Sequence, residues 1–541
     1  MELWSWEEIM SNKKRILATL DCETSPFLFG RVPVPFVYGF YEKDKFSVFT
    51  KVSELIAYIK KRNYLIYAHN GGKFDFLFSE IFDQINAGSD MRIIDGRLGQ
   101  CEIGESVLRD SFLIFPQGLG SYKKDEIDYR KLEEENRVKY WDEIISYLKS
   151  DCEYLFELIE VYHEEYGRKL TLASGALDQW KAISGLKTPS SNSNYFDRFY
   201  PYYFGGRVEC FKTGIFKEKI KVYDINSAYP FAMLHSHPWG LSPVKQSKLP
   251  SRDIHLCLVT VRCKSKGYFP LRTKTGLSFP NDGEIRDFNI TGWEFLAVLD
   301  VNPKFDMKVL YCWRWRESIQ FTEYVTHFYN KKKSAVKGSA SYNFAKLMLN
   351  SLYGKFAQNP RKHKKFTLIP ASEVPAWEKN TEYKLHDYIR QSALMTMPVP
   401  EQAHQYFDLA LACSITGFVR AYGGISALHR AERPFYMDTD GIHAKSLECE
   451  LGEDIGQWNI EFTGDNGAYA RKKLYALVDS EKYKIEKGKE LGVKIASKGA
   501  RLSSRQIFEV AKGETVIYRS DAPTMSVTGK VSFIERRIKM S

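Results

Sequence analysis

Apolar runs that stop at acids recur along this chain. Arg15-Ile16-Leu17-Ala18-Thr19-Leu20 reads as a buried strand and ends in Asp21-Cys22-Glu23. Residues i and i+2 of a strand share a face, so both carboxylates are expected to point the same way. Tyr64 to His69 is a second strand-like run. It passes into Asn70-Gly71-Gly72-Lys73-Phe74-Asp75, where the glycines mark a loop and Asp75 opens an apolar helix. Glu143 to Leu158 has helical periodicity, with Tyr147 and Asp151 four apart on one face. Residues 170–200 turn small and polar, which predicts a domain boundary.

The pattern then repeats. Lys219 to Tyr223 is a strand that runs into Asp224, and Ile225 to Pro230 turns into a helix. Phe344 to Gly354 is the clearest helical segment, and Lys346, Asn350 and Tyr353 form one stripe of it, suited to phosphate, sugar and base. In Phe435 to Ala444 apolar runs flank Asp438-Thr439-Asp440-Gly441. Asp-Gly between such runs predicts a hairpin in which the glycine takes a positive φ. Two carboxylates at a hairpin tip repel each other unless a cation lies between them, and hard oxygen ligands suit Mg²⁺. Likewise Asp21, Glu23, Asp75 and Asp151, each at an element end or on a defined face, could hold two Mg²⁺ about 4 Å apart for phosphodiester hydrolysis. Taken singly, each acid suits a solvated surface or a helix cap.

The chain of 541 residues exceeds what one core supports, so two or more domains are expected. It is 44% hydrophobic and 14% aromatic, ample for those cores. Lysine and arginine number 78 against 67 acids, a net +11 that suits a polyanionic partner. Nine cysteines without CxxC pairs are neither a zinc framework nor a disulfide scaffold and fit a reducing compartment. No uninterrupted apolar run is long enough for a membrane span, and the first fifteen residues lack a signal-peptide core. A soluble intracellular protein, without membrane attachment and monomeric, is expected.

Taken together, these segments resemble the protein-primed family B DNA polymerases of small bacteriophages with linear, protein-capped genomes, especially those of the tailless internal-membrane phages. The Asp21-x-Glu23, Asn70…Phe74-Asp75 and Tyr147-x₃-Asp151 elements resemble a DEDD-type 3′–5′ proofreading exonuclease, although three residues separate Asn70 from Phe74 where many relatives have two. The resemblance implies that Tyr147 orients the attacking water, that Lys124 (in Lys124-Asp125-Glu126-Ile127) assists this centre, and that Asn70, Phe74 and Ser111 touch the frayed primer strand. Phe112 replaces the usual leucine beside that serine.

Tyr203-Phe204-Gly205-Gly206-Arg207 resembles the YxGG element that links the two modules and touches DNA. Asp224 to Pro230 resembles DxxSLYP, with Ala228 for leucine. Lys346 to Gly354 matches KxxxNSLYG, and Tyr436 to Gly441 resembles YxDTDS with glycine for the last serine. Implied polymerase metal positions are Asp224, the adjacent Ile225, and Asp440, with Asp438 in support; Mg²⁺ is the expected ion and Mn²⁺ a substitute. Tyr229 would exclude a 2′-hydroxyl, Lys346 would grip the triphosphate, and Asn350 and Tyr353 would line the nucleotide site. A further phosphate contact is assigned to Lys333, with the register among Lys331, Lys332 and Lys333 open. Thr416-x₂-Val419-Arg420 resembles a template-phosphate element, and Lys473-x-Tyr475 one that steadies the primer end.

The implied fold is α/β (α+β): an RNase H-like exonuclease domain over 1–175 and a right-hand polymerase over 176–541. Within the latter the palm falls at about 195–300 and 398–475, a first insertion at about 245–325, fingers at about 326–358, a second insertion at about 359–397, and a thumb at about 476–541. Expected partners are template and primer DNA, dNTPs, a terminal protein whose hydroxyl primes synthesis, and a single-stranded-DNA-binding protein, in the cytoplasm of an infected bacterium. Rival readings are a nucleic-acid-primed repair polymerase, a catalytically silent DNA-binding relative, and a reverse transcriptase. The proofreading tetrad and the KxxxNSLYG helix argue against the last.

Overall fold

The computed structural model describes residues 15–540 except 79, 90, 190, 275, 390, 400–407 and 487. The stretch read as lacking a signal-peptide core is therefore outside the described residues, apart from Arg15.

The N-terminal third is built on a seven-stranded sheet. Its strands are β1 (Ile16–Thr24), β2 (Pro35–Glu42), β3 (Lys45–Phe49), β4 (Tyr64–Ala68), β5 (Arg92–Ile94), β6 (Arg97–Ile103) and β7 (Ser106–Asp110), in the order β3-β2-β1-β4-β7-β6-β5. β1, β4 and β7 are parallel and central. Both faces of this centre are covered, which explains the unbroken apolar runs. The helix Trp141–Tyr166 packs on β1, where the Thr19 hydroxyl donates to the Cys152 carbonyl at 2.8 Å. A Cβ on Gly39 would lie 2.8 Å from Leu148, so glycine is what lets this helix approach the sheet.

The expected boundary at 175/176 cuts the helix Leu172–Ser184. Thr171 caps that helix through the Ser174 N–H, and Trp180 is buried under it. Its composition is polar enough to read as a linker, but its buried face packs against the fingers helices.

A five-stranded antiparallel sheet forms the palm: Trp458–Gly464, then β10 (Ile220–Ile225), Gly441–Leu447, Ala431–Asp438 and β8 (Val208–Cys210). β9 (Gly214–Phe216) leaves this sheet for a second one with Asn466–Arg471, Leu474–Val478 and Val493–Ser497. The boundary expected at 475/476 therefore falls inside a strand. The palm strands before the first insertion end at Ile225, well short of 300. Residues from Val244 to Arg314 form a separate unit, a four-stranded sheet with the helix Gly292–Val301.

The fingers are two helices, Thr322–Ser334 and Ala340–Phe356. A three-stranded sheet, Lys364–Pro370, Ser392–Pro398 and Lys384–Ile389, follows them. Its Leu368, Ile389 and Leu394 join one apolar cluster with the N-terminal sheet and with Met525 and Val527 near the C-terminus. Lys530 pairs with Asp387 at 3.0 Å across the same junction. The N-terminal domain, this insertion and the C-terminal segment thereby close on one another.

The helix Leu409–Ala427 is long and apolar enough by composition to cross a membrane, but 89% of it is buried inside the protein. It is a core helix, and Arg420 interrupts its apolar run.

Candidate active sites

Antiparallel pairing assembles the first centre. β10 runs beside Gly441–Leu447 with Asp224 opposite Gly441, and Asp438 is also opposite Gly441. Asp224, Asp438 and Asp440 therefore meet at one end of the palm sheet despite their distance along the chain. The hairpin differs from expectation in one detail. Thr439, at φ +61°, takes the left-handed conformation, and Gly441 is an ordinary strand residue. Thr439 can do so because the Arg207 carbonyl accepts its N–H at 2.7 Å, while the Asp438 carbonyl accepts the Asp440 N–H at 2.7 Å. A Cβ on Gly441 would lie 3.4 Å from Asp224 Oδ1, so its smallness keeps the carboxylate's place clear.

These acids line a cleft of about 320 Å³ with Tyr229, Tyr475, Glu461 and Lys494. Burial, then Asp440 and Glu461, push the Asp224 carboxyl up to about 8, and burial pushes Asp440 up to about 6. Lys473 Nζ donates to Asp438 Oδ1 at 2.6 Å, so Asp438 is neutralised by the chain itself. The Ile225 side chain is buried, leaving only its main chain for the metal role expected of it.

Sequence reasoning missed Glu461 and Lys494, which pair with each other at the cleft. The pairing of β10 with Trp458–Gly464 shifts register between Val222 and Tyr223, and Glu461 is the unpaired residue of the irregularity. Bulges of this kind re-aim a side chain, and the sequence pattern carries no sign of this one.

The second centre lies where β1 meets the helix Trp141–Tyr166. Oxygens of Asp21, Glu23 and Asp151 all lie within 4.8 Å of one another. Asp75 joins them, its Oδ1 accepting from the Cys22 thiol at 3.2 Å. Burial first, and the neighbouring acids second, push the Asp21 carboxyl far up and Glu23 up to about 8; burial pushes Asp75 up to about 7. Lys124 Nζ is 3.5 Å from Asp151 Oδ2 and lies over the Tyr147 ring. Among the described residues, the buried Asp151 Oδ1 has no hydrogen-bond partner. An all-carboxylate donor set, mutual repulsion and an orphaned oxygen together fit divalent cations.

Around the first centre, Tyr229 and Tyr353 stack with ring centroids 4.1 Å apart and planes 11° from parallel. Lys346 and Asn350 are exposed on the same helix, with the Asn350 amide donating to the Lys346 carbonyl at 2.9 Å. Lys333 pairs with Asp454 at 3.2 Å and Lys331 with Glu165 at 3.1 Å. Lys332 Nζ lies 6.0 Å from the centroid of the Tyr329 ring; burial, then Lys346 and Lys333, lower its pKa. With Lys331 and Lys333 in ion pairs, Lys332 is the one of the three without a carboxylate partner among the described residues.

Four expected DNA contacts are corrected. Arg420 is 1% exposed. It pairs with the fully buried Glu294 at 2.7 Å, and it donates to the Phe204 and Gly205 carbonyls at 2.5 and 3.0 Å. Thr416 is buried and bonds the Ala412 carbonyl of its own helix. Arg207 is buried, paired with Glu209 at 2.7 Å and donating to the Gly424 carbonyl. Ser111 is buried against His69. These groups brace the loops that carry Tyr203 and Asn70, and their polar atoms are spent inside the protein. Gly206 is also structural, since a Cβ there would meet the Thr439 side chain at 2.4 Å, whereas Gly205 is open. Asn70 accepts from Arg97 at 2.7 Å, Phe74 is half-buried, Tyr203 lies near Tyr353, and Tyr475 is buried beneath the cleft against Tyr436.

Two acid clusters, one on a sheet-based palm and one in a separate α/β domain, suit divalent-metal phosphoryl-transfer chemistry. Residues 119–405 match the family model described as DNA polymerase type B, organellar and viral. A DNA-directed DNA polymerase of Enterobacteria phage PRD1 is 33% identical, over 97% of this chain and 98% of that one. The DNA polymerase of Bacillus phage phi29 is 26% identical over 65% of this chain and 62% of its own length. The fold matches Phi29 DNA polymerase complexed with primer-template DNA with a TM-score of 0.73 and 19% identity, over 98% of this chain and 100% of that one. Phi29 DNA polymerase in its ternary complex with primer-template DNA and incoming nucleotide substrates matches with a TM-score of 0.72. The chain belongs to the type B DNA polymerases, organellar and viral. Its activity is DNA-directed DNA synthesis, which in this family relies on divalent metal.

The raised carboxyls generate a stability prediction for the metal-free protein. A folded-state value above the unfolded one favours folding below pH 4, and that contribution is lost as the pH rises through about 8. Asp224→Asn should therefore raise the melting temperature of metal-free protein by about 2 °C or more, with the gain growing from pH 5 to pH 8. Mg²⁺ should stabilise the wild type more than the variant, both read by calorimetry.

Proposed function

We propose that this DNA polymerase extends DNA 3′ ends in the Asp224–Asp440 cleft and trims them at the Asp21–Glu23–Asp75–Asp151 cluster. We further infer that it begins genome copies on the hydroxyl of a separate terminal protein. The observation that carries the first part is the register that sets Asp224 against Gly441, beside Asp440.

Mg²⁺, with Mn²⁺ as a substitute, would be held by Asp224, Asp440 and the Ile225 main chain in one centre and by the four acids in the other, supplying hydroxyl or water activation and charge neutralisation. The remaining work belongs to the chain. Lys473 neutralises Asp438 and holds the hairpin tip, beside which the primer end is placed. The stacked Tyr229 and Tyr353 form a wall under the incoming sugar that leaves no room for a 2′-hydroxyl. Lys346 and Lys332 offset charge on the triphosphate, and Asn350 lines its path. In the second centre Tyr147 orients the attacking water, and Lys124 holds Asp151 and offsets phosphate charge. Asn70, Phe74, Tyr203 and Gly205 remain exposed enough to guide DNA. The helix Leu172–Ser184 forms the junction of the two domains, and the fingers extend from Thr322 to Phe356.

DNA and incoming nucleotide as ligands are supported by the complexes of the fold neighbour. The phage relatives support action in the cytoplasm of an infected bacterium, with a single-stranded-DNA-binding protein as an accessory. Terminal-protein priming is supported by the two inserted sheets, at Val244–Arg314 and Lys364–Pro398, in a chain this short.

Asp440→Ala should abolish nucleotide addition, by at least about a thousandfold, and spare degradation of single-stranded 3′ ends. Asp21→Ala with Glu23→Ala should do the reverse. Loss of both activities in either variant would refute two separate centres. Lys332→Ala should raise the KM for dNTP about tenfold, the loss of one charge-assisted contact, and Lys333→Ala should leave it near the wild-type value; the opposite ranking would return the phosphate role to Lys333. Incubation with labelled dNTP and the candidate terminal protein should yield a covalent nucleotide–protein adduct, and its absence, with primer extension intact, would favour a nucleic-acid-primed repair enzyme.

A further inference from the structure

Directly after the Asp21-Cys22-Glu23 strand the chain forms an apolar tip. In Ser25–Val34, Phe27 is 41% exposed, Leu28 49%, Phe29 39% and Val34 62%. A contiguous exposed apolar group of this kind marks a binding surface more often than chance. The tip is held in shape. The Ser25 N–H donates to the Val34 carbonyl at 3.1 Å and the Arg31 N–H to the Leu28 carbonyl at 3.0 Å, with Gly30 at φ +85° completing the turn. Arg31 donates to the Pro26 carbonyl and pairs with Glu133 at 3.0 Å. A side chain displayed on so fixed a loop keeps its orientation without an ordering cost.

Three observations identify what the tip receives. The Phe27 ring packs edge-on against Phe74, centroids 5.5 Å apart. Phe74 directly precedes Asp75, and Phe27 follows Glu23 by four residues, so the chain carries both rings next to segments that supply the second carboxylate centre. Next, the exposed group is led by aromatic rings interleaved with cations. Arg519 lies over Phe29 at 5.4 Å, and nearby Arg97 lies over Phe112 at 4.3 Å. Rings and cations together suit bases and their phosphates, whereas a protein partner would find few apolar side chains beyond the tip. Finally, Phe29 is anchored from the far side, its ring against Phe533 at 5.7 Å and its N–H donating to Asp521 Oδ1 at 3.2 Å. Phe27 is therefore the ring left to stack.

We propose that Phe27, displayed on the Ser25–Val34 tip and buttressed by Phe74, is a stacking platform for an unpaired base of a single-stranded DNA 3′ end entering the Asp21–Glu23–Asp75–Asp151 centre. The platform rests on the exonuclease reading of that centre. It explains why a loop beside buried acids exposes rings to solvent: a strand with frayed bases exchanges water for the Phe27 face, while paired DNA, with its bases already stacked, gains nothing there.

The test is binding, separated from cleavage. In an Asp21→Ala, Glu23→Ala background, an oligodeoxythymidylate carrying 2-aminopurine near its 3′ end is titrated with protein. Stacking on Phe27 should quench its fluorescence. Phe27→Ala should weaken binding about tenfold and restore the emission, and Phe27→Trp should keep or tighten both. Unchanged quenching and affinity in Phe27→Ala would overturn the platform, as would failure of Phe27→Trp to restore what alanine loses. A matching thermal unfolding profile certifies each variant as folded, and Phe27→Trp carries the decision if the alanine variant is unstable. Failure of the wild-type enzyme to degrade the unmodified strand would instead sink the exonuclease reading, and leaves the binding measurement to be judged by its own outcome.

Discussion

Repulsion between carboxylates forced together by backbone pairing is the constraint around which the rest of this molecule is arranged. Unit charges a few ångströms apart in a half-buried site oppose folding by several kcal/mol before any cation arrives, about 4 kcal/mol at an effective dielectric of 20. A sheet can bear this because register is over-determined: Asp224 cannot leave Gly441 without unpairing the Lys221–Ala444, Val222–His443 and Tyr223–Ile442 partners as well. The second centre uses a different frame, one strand, one long helix and the short helix that Asp75 opens, and there the buried apolar contacts of the long helix with β1 do the same work. In both, the acid that carries its own lysine (Asp438 with Lys473, Asp151 with Lys124) lowers the charge that the fold itself must tolerate.

The Arg420–Glu294 pair shows a second use of charge, as internal bracing. Glu294 closes a capping box with Thr291 through Oε2, and both its oxygens accept from the Arg420 guanidinium, which also holds two carbonyls of the Phe204–Gly205 loop. Gly417 allows the contact, since a Cβ there would overlap Thr291. The first inserted unit, the core helix and the loop bearing Tyr203 thus share one buried ion. Breaking such a pair from one side costs about 3–5 kcal/mol, because a charge is left unpaired in the interior. Arg420 therefore has a structural role independent of phosphate contact.

What could be read in the sequence follows the same division. The acids were legible because each ends an apolar run, and strand or helix periodicity alone places Asp21 with Glu23 and Tyr147 with Asp151. The stripe Lys346–Asn350–Tyr353 was legible for the same reason. Arg207, Thr416, Arg420 and Ser111 were misplaced because a polar residue in a motif looks alike whether its partner is DNA or a carbonyl on another element, and only tertiary contact decides. The turn at Asp438–Gly441 was correctly located but its left-handed residue was not: the Arg207 carbonyl, which steadies Thr439, belongs to a distant segment. Glu461 was invisible because a bulge, not a repeat, aims it. The expected domain edges fall inside Leu172–Ser184, whose small and polar composition passes for a connection, and inside the apolar strand Leu474–Val478, whose pairing partners lie elsewhere in the chain.

The three adjacent lysines of the fingers show how one helix divides its charge. Successive residues of a helix point about 100° apart, so Lys331, Lys332 and Lys333 divide among different carboxylates, although Lys332 and Lys333 both lie over the Tyr329 ring, at 6.0 and 5.0 Å. Lys331 turns to Glu165 at the end of the long exonuclease-domain helix, which also accepts from the Ser341 hydroxyl at 2.9 Å, and thereby ties both fingers helices to that domain. Lys333 turns the other way, to Asp454 beside the palm strand Trp458–Gly464. Lys332 has no carboxylate partner among the described residues, and burial, then the charges of Lys346 and Lys333, lower its pKa. Under the proposed function, the same logic that makes the carboxylate pairs suit metal makes Lys332 and Lys346 suit phosphate.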